Sequence, residues 1–271
     1  MMEEMNEMFS TRREERLRRM EEADRANEYL YLVLDIGQYM LQCGGEVSRV
    51  EDSIRRMCLA FGAKRADVFT ITSSIMATIY SHQFGSVSQT RRVKGMQYDL
   101  NRLEKLNQLS RRICAGELSV KETWKALTEI KNGPRYSFRM QLLAYALVSA
   151  SFSVFFGGSW GDAIASGIVG VLLKCLDKAI SKTEANALLS ALICSCVGGL
   201  LAAGTVYLGL GRSVEMISIG NIMLLIPGIA LTNSLRDMFS GNTVSGILRF
   251  LEAIILATVI AFGFALVAAW V

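Results

Sequence analysis

Residues 224–239 read LLIPGIALTNSLRDMF, an apolar run that turns polar halfway along. Pro227, one of two prolines in the chain, is followed at once by Gly228, and then by Asn233, Arg236 and Asp237. Ser245, Gly246, Arg249 and Glu252 come next. Guanidinium groups hold carboxylates through paired N–H donors, while Asp and Glu carry a proton or balance an arginine. Arg249 and Glu252 are three residues apart, so on a helix they share a face and can pair. Proline removes a backbone N–H and clashes with the preceding turn, so a helix at Pro227 must kink or break. A new helix start at Gly228–Ile229 would present N–H groups and a partial positive charge, a setting that suits a carboxylate. Discontinuous membrane helices bind solutes in this way. Polar groups of two consecutive helices converging near a broken helix suggest a solute path, able to hold a carboxylate. A plain proline kink, with arginines snorkelling at a membrane interface, is the competing reading.

Other chemistry-bearing residues are scattered. Asp162 opens the stretch GDAIASGIVG and is either a further carboxylate on a solute path or only a helix cap. Arg49, Glu51 and Asp52 form either a binding site or surface ion pairs of little worth. His82, the one histidine, would act as a general base only beside a nucleophile, and none stands in a recognisable context. The six cysteines (Cys43, Cys58, Cys114, Cys175, Cys194, Cys196) make no CxxC pair and read as small hydrophobes. No catalytic residue, metal ligand set or cofactor site is expected.

The elements that would position these residues fall into two kinds. The chain is 51% hydrophobic with mean hydropathy +0.32, but the charge is unevenly spread. Residues 140–271 hold only twelve Asp, Glu, Lys or Arg. The net charge of +4 carries no basic stripe with interleaved aromatics, which argues against nucleic acid. Residues 1–28 read as a charged, solvated N-terminal helix or tail without the apolar core of a signal peptide. Residues 29–135 read as a small α+β domain. A helix from Tyr29 ends at Gly44-Gly45, and a second has Val47, Val50, Ile54, Met57, Cys58 and Phe61 on one face. ADVFTITSSIMATIYS alternates as two strands around Ser73-Ser74, SVSQTRRV offers a third, and two helices follow. The second of these opens on a capping box, Ser119 to Glu122.

Residues 136–271 read as a membrane domain, since a spanning helix needs about 20 apolar residues. Five spans are expected, at about 140–158, 162–176, 185–208, 214–235 and 253–271. Alternate links are basic: Lys131, Arg135 and Arg139 precede the first span, Lys174, Lys178 and Lys182 lie between the second and third, and Arg236 and Arg249 between the last two. The positive-inside rule then places the N-terminal domain in the cytoplasm. Small residues such as Gly167, Gly170, Gly198 and Gly199 allow close helix approach.

At this point three blocks carry a family resemblance. CGGEVSRVEDSIRRMCLAFGA resembles a helix start of three small residues followed by Arg-Val-Glu. TRRV and LNRLEKLNQLSRRICAGELSVKETWKALTEI resemble the second helical part, and PGIALTNSLRDMFSGNTVSGILRFLEA the membrane motif. Together they resemble the threonine/serine exporter family, in the short form similar to the larger subunit of bacterial succinate exporters. Cys43-Gly44-Gly45 departs from the serine, glycine and alanine of many relatives. The resemblance implies an α-helical membrane protein of five spans preceded by a small cytoplasmic α+β domain, in the bacterial cytoplasmic membrane. It implies export of threonine, serine or a small dicarboxylate such as succinate, by ion-coupled secondary transport. It also implies a separate small membrane subunit of the same family as partner, besides the lipid bilayer and the solute, and leaves self-association open. Pro227, Gly228, Asn233, Arg236, Asp237, Ser245, Gly246, Arg249, Glu252 and Asp162 are the candidate solute-binding residues. The alternative is a membrane-anchored cytoplasmic enzyme or sensor whose α+β domain is the active part. Five spans are more than an anchor needs, and neither a nucleophile–base pair nor a phosphate loop appears.

Overall fold

The computed structural model describes residues 2–134, 136–183 and 186–270, with side chains from residue 13 onward. Arg135, Ala185 and Val271, on which expected boundaries fall, lie outside the described residues. The chain is mostly helical, with one small antiparallel sheet in its N-terminal region. Its contacts divide it into two units, residues 1–133 with 232–249, and residues 134–231 with 250–271.

The first unit starts with α1 (Met2–Gln42), a single uninterrupted helix. The helix expected from Tyr29 thus begins far upstream, because the charged repeat before it keeps helical spacing. Its last turns are buried through Leu30, Leu34, Ile36, Met40 and Leu41. A tight turn at Cys43-Gly44-Gly45 leads to α2 (Val47–Ala60). Gly44 sits at φ 97°, and a Cβ on Gly45 would meet the Met40 carbonyl oxygen at 2.8 Å. Small residues are therefore needed here on backbone grounds. α2 buries Val47, Val50, Ile54, Met57 and Cys58, the three- and four-residue steps expected of one apolar face.

β1 (Arg65–Ile71), β2 (Ser74–Ser81) and β3 (Gly85–Arg92) form a meander in the order β1-β2-β3. Ile75, Ala77 and Ile79 of β2 face the helices and are buried, as the period of two requires. α3 (Leu100–Cys114) adds Leu106, Leu109 and Ile113 to the same core, and α4 (Val120–Asn132) adds Leu127. The capping box opening α4 is present. Ser119 Oγ accepts from the Glu122 N–H at 3.3 Å, and Glu122 Oε2 accepts from the Ser119 N–H at 2.8 Å.

The second unit contains α5 (Phe138–Phe155), α6 (Trp160–Ile180), α7 (Ala187–Tyr207) and α8 (Val214–Leu225). α9 (Gly228–Phe239) and α10 (Thr243–Ala268) each contribute to both units. Among the described residues, α5, α7 and α10 are long and apolar enough to cross a membrane, and α8 with α9 makes a fourth if the pair, bent by 52°, is one span. α6 has the length but carries Asp162, Lys174, Asp177 and Lys178. The fourth expected span is thus two helices meeting at Pro227. The expected fifth starts ten residues early, because the segment from Thr243 is already helical.

The helices of this unit meet at small residues. A Cβ on Gly170 would lie 2.5 Å from Ser149 Oγ, and one on Gly220 would lie 2.5 Å from the Ser149 carbonyl oxygen. Of the cysteines read as small hydrophobes, Cys43, Cys58 and Cys194 are buried, Cys196 is half-buried, and Cys114 and Cys175 are exposed.

Candidate functional site

The polar residues of α9 stand at i, i+3 and i+4 (Asn233, Arg236, Asp237), so they leave the helix on one side. What they meet is in the first unit. Asn233 Nδ2 donates to the Gly44 carbonyl at 3.0 Å. Arg236 Nη1 pairs with Glu46 Oε1. Asp237 Oδ1 accepts from the Val47 N–H at 3.1 Å. These three contacts all land on the start of α2.

The reason lies in helix termini. The first N–H groups of a helix have no intrahelical partner, and the N-cap of α2, Glu46, makes no side-chain capping bond. Asp237 supplies the missing acceptor from 190 positions away in sequence. Its negative charge also meets the positive end of the α2 dipole.

α9 ends in a way that brings the next helix back. The Asn242 N–H donates to the Asp237 carbonyl and the Gly241 N–H to the Met238 carbonyl, at 2.9 and 3.2 Å. Gly241 takes φ 89°, completing a Schellman closure. α10 then returns with Ser245, Gly246 and Arg249 buried on one face. A Cβ on Gly246 would lie 2.8 Å from both the Met238 N and the Ser234 carbonyl oxygen, so α9 and α10 touch at backbone distance. This contact sets the position of Arg249, whose Nη1 donates to Asp237 Oδ2 at 3.1 Å.

Arg249 and Asp237 are 2% and 0% exposed, a fully buried ion pair. Asp237 is satisfied on both oxygens. Arg249 is not: Nε and Nη2 are buried without a hydrogen-bond partner. A buried guanidinium with idle donors is costly, and such donors are the natural holders of a carboxylate. Thr70 is buried in the same unit. Thr70 ties the sheet to both helices. Its N–H donates to Glu51 Oε1 of α2 at 2.6 Å, and its carbonyl accepts from Ser245 Oγ of α10 at 3.2 Å. Burial pushes the Glu51 carboxyl up from its ordinary value; the bonds from Thr70 oppose that shift and the Asp237 charge adds to it.

Of the ten candidate residues, the structure brings six together in one unit: Asn233, Arg236, Asp237, Ser245, Gly246 and Arg249. Gly246 is there as the close-approach residue, and Arg236 is half exposed. Pro227, Gly228, Asp162 and Glu252 belong to the other unit. Pro227 does break the helix, with Gly228 N–H bonded to the Ile226 carbonyl at 2.8 Å. Arg249 takes Asp237 as its carboxylate, where local spacing pointed to Glu252; the Gly241 turn makes the longer-range partner available. Glu252 is exposed.

Asp162 has structural duties. It closes a capping box with Ser159 at the start of α6. Its Oδ1 also accepts from the Arg212 and Ser213 N–H groups at 2.6 and 2.9 Å. His82 is exposed and lies 3.3 Å from the Tyr80 hydroxyl. Glu46 and Thr70 are the residues here that residue types alone did not single out; Glu51, weighed with Arg49 and Asp52 as a binding site or a surface ion pair, is bonded to Thr70. A buried polar knot in the second unit was also unforeseen: Ser149 and Ser166 exchange bonds at 2.9 and 3.0 Å, and Asn221 Nδ2 reaches Ser166 Oγ at 3.2 Å.

The buried arginine and the proline-broken helix lie within one block, and that block is shared with known proteins. The family model of the threonine/serine exporters matches residues 31–271. The chain belongs to the threonine/serine exporter family. It is 25% identical over 235 residues to a threonine/serine exporter of Corynebacterium glutamicum, covering 83% of this chain and 47% of that protein. It is 21% identical over 236 residues to a probable threonine/serine exporter of Mycobacterium tuberculosis, covering 86% and 44%. It thus spans about half the length of these two exporters. A probable succinate transporter subunit, YjjP, of Klebsiella aerogenes is 22% identical over 229 residues, covering 83% of this chain and 87% of that subunit. No solved structure matches the chain significantly. The three blocks that carry the resemblance turn out to include the two faces of one site. CGGEVSRVE supplies Gly44, Glu46 and Val47, and the membrane motif supplies Asn233, Arg236 and Asp237, which bind them.

Proposed function

We propose that this exporter-family chain is one subunit of a secondary transporter that moves small amino acids, or small dicarboxylates, out across the bacterial cytoplasmic membrane. The observation that carries the reading is Arg249. Its guanidinium is buried, spends one nitrogen on Asp237 and keeps Nε and Nη2 uncommitted. A solute carboxylate takes those two donors as a bidentate pair. Asp237 holds the arginine in place, and Glu51 is the nearby carboxylate able to take part in proton coupling.

In this reading residues 29–135 form a cytoplasmic α+β domain preceded by the charged helix of residues 1–28, and residues 136–271 form the membrane part. α6 completes a set of five spans with α5, α7, α8–α9 and α10. At about 1.5 Å per residue the 26 residues of α10 run about 39 Å, more than the roughly 30 Å of a hydrocarbon core. Its first turns, through Arg249, are then free to serve the site. Exposed apolar side chains along α5 and α6, including Leu143, Leu147, Ile164 and Ile168, support burial against lipid or a partner. The subunit named in the Klebsiella aerogenes relative supports a separate small membrane protein as partner.

The test is export from cells expressing the chain together with its candidate partner, loaded with threonine, serine or succinate. Arg249→Gln at unchanged membrane abundance is expected to abolish efflux of the true substrate. Undiminished efflux by this variant would remove Arg249 from the solute path and with it the proposal.

A further inference from the structure

A second polar feature lies on the other side of α2. A cleft of about 440 Å³ separates α2 from α3. Ser48, Arg49, Asp52 and Arg56 line it from α2, and Asn107 and Arg111 from α3. The α2 residues stand at i, i+1, i+4 and i+8, and the α3 pair at i and i+4, so each helix turns one polar stripe toward the gap. The buried apolar residues of both helices point elsewhere, into the domain core.

Three guanidinium groups face one carboxylate in this lining, a surplus of two positive charges. Two of the arginines are anchored by the same atom. Arg49 Nε binds Glu46 Oε2 at 3.3 Å, and Arg56 Nε binds Asp52 Oδ2 at 2.7 Å. Among the described residues neither makes a further ion pair. Arg111 has no carboxylate at ion-pair distance among the described residues. Anchored at Nε, an arginine presents a planar pair of donors, the geometry that matches adjacent oxygens of a phosphate group. A zwitterionic amino acid would bring its ammonium group into the same surplus of positive charge and be disfavoured.

We propose that this cleft is a binding site for a dianionic phosphate group, carried by a small cytoplasmic phosphate ester or by a lipid headgroup. It is distinct from the solute site around Arg249, and the two are joined through one residue. Glu46 holds Arg49 with one carboxylate oxygen and Arg236 of α9 with the other. A phosphate that draws Arg49 away leaves Glu46 to Arg236 alone, and so alters the contact between α2 and α9. An exposed pair of this kind sets an effect of roughly two- to fivefold.

The binding claim does not depend on the transport reading, and its test needs no transport. The 271-residue chain is reconstituted in phosphatidylcholine nanodiscs and titrated calorimetrically with inorganic pyrophosphate and with glycerol phosphate. Saturable binding is expected, weakened at least about tenfold by Arg111→Gln, which removes charge-assisted hydrogen bonds to the anion. Arg65→Gln, an arginine of β1 that is paired with Asp67 and does not line the cleft, is expected to bind as the unaltered chain does. Pyrophosphate binding that disappears when the discs contain phosphatidic acid, whose headgroup is a phosphate monoester, assigns the cleft to lipid headgroups; binding that persists assigns it to a soluble phosphate ester. No saturable binding in phosphatidylcholine, or equal loss in Arg111→Gln and Arg65→Gln, overturns the site. A second arm measures efflux from proteoliposomes that hold the chain with its candidate partner subunit, with pyrophosphate on the domain side. A change that is absent in Arg111→Gln supports the link through Glu46, and an unresponsive efflux from a chain that binds pyrophosphate overturns that link.

Discussion

Removing the Asp237 charge should destabilise the chain chiefly by stranding Arg249, and removing both should restore it. Asp237→Asn keeps an amide oxygen for the Val47 N–H, so the α2 start remains capped. What it loses is the counter-ion of a guanidinium that is 2% exposed. Breaking a buried pair by neutralising one partner costs about 3–5 kcal/mol, against a total stability of order 5–15 kcal/mol. Arg249→Met alone strands Asp237 instead, though the helix dipole and the Val47 N–H soften that loss. The double variant Asp237→Asn/Arg249→Met leaves no uncompensated charge, and a well-packed apolar replacement of such a pair is often close to neutral. The double-mutant cycle should therefore give a coupling of at least about 2 kcal/mol. For a chain of this size that is about 4–8 °C in melting temperature. Thermal unfolding in detergent, followed by circular dichroism, measures it. Efflux separates the roles: the double variant should be folded and inserted yet inactive, because the donors for the solute are gone. An Arg249→Met protein as stable as the unaltered chain, or a double variant no better than the worse single one, would refute the reasoning.

Gly246→Ala should cost about 1–3 kcal/mol through overpacking against Met238 and Ser234, and should lower efflux because Arg249 follows one turn later on the displaced helix. Asp162→Ala should cost about 2–4 kcal/mol by orphaning the Arg212 and Ser213 N–H groups and the Ser159 cap, with no change in which solute is exported, as competition between threonine and succinate would show. Glu51 makes a pH-dependent contribution: its carboxyl is raised in the fold, so the folded state binds the proton more tightly than the unfolded chain. Stability is then fully expressed below the ordinary value of 4.5 and declines as pH rises from there through the raised value. Glu51→Gln should flatten that decline in a melting-temperature series across pH.

The parts of this molecule that could be read in advance are those decided within a few residues. Pro227 lacks an N–H wherever it stands, so the break between α8 and α9 followed from the residue itself. Ser119 and Glu122 are three apart, so their capping box needed no tertiary information, and the period of two in SIMATIYS fixed which side of β2 faces the core. The site is different in kind. Asp237 serves a helix start 190 positions earlier, a distance over which spacing rules say nothing. Local spacing favoured Arg249 with Glu252, but the glycine turn at 241 folds α10 back so that a carboxylate twelve residues away is the one within reach. One signal of the long-range partner was nonetheless present. α2 begins after Glu46, a poor N-cap, and has no acidic residue in its first turn. Helix starts left uncapped by their own segment and buried must be capped from elsewhere. The carboxylates available in the apolar half of the chain are few. Counting uncapped helix starts against unclaimed carboxylates would have narrowed the partner to a short set that includes Asp237, and would have joined the Arg-Val-Glu block to the membrane motif on physical grounds alone.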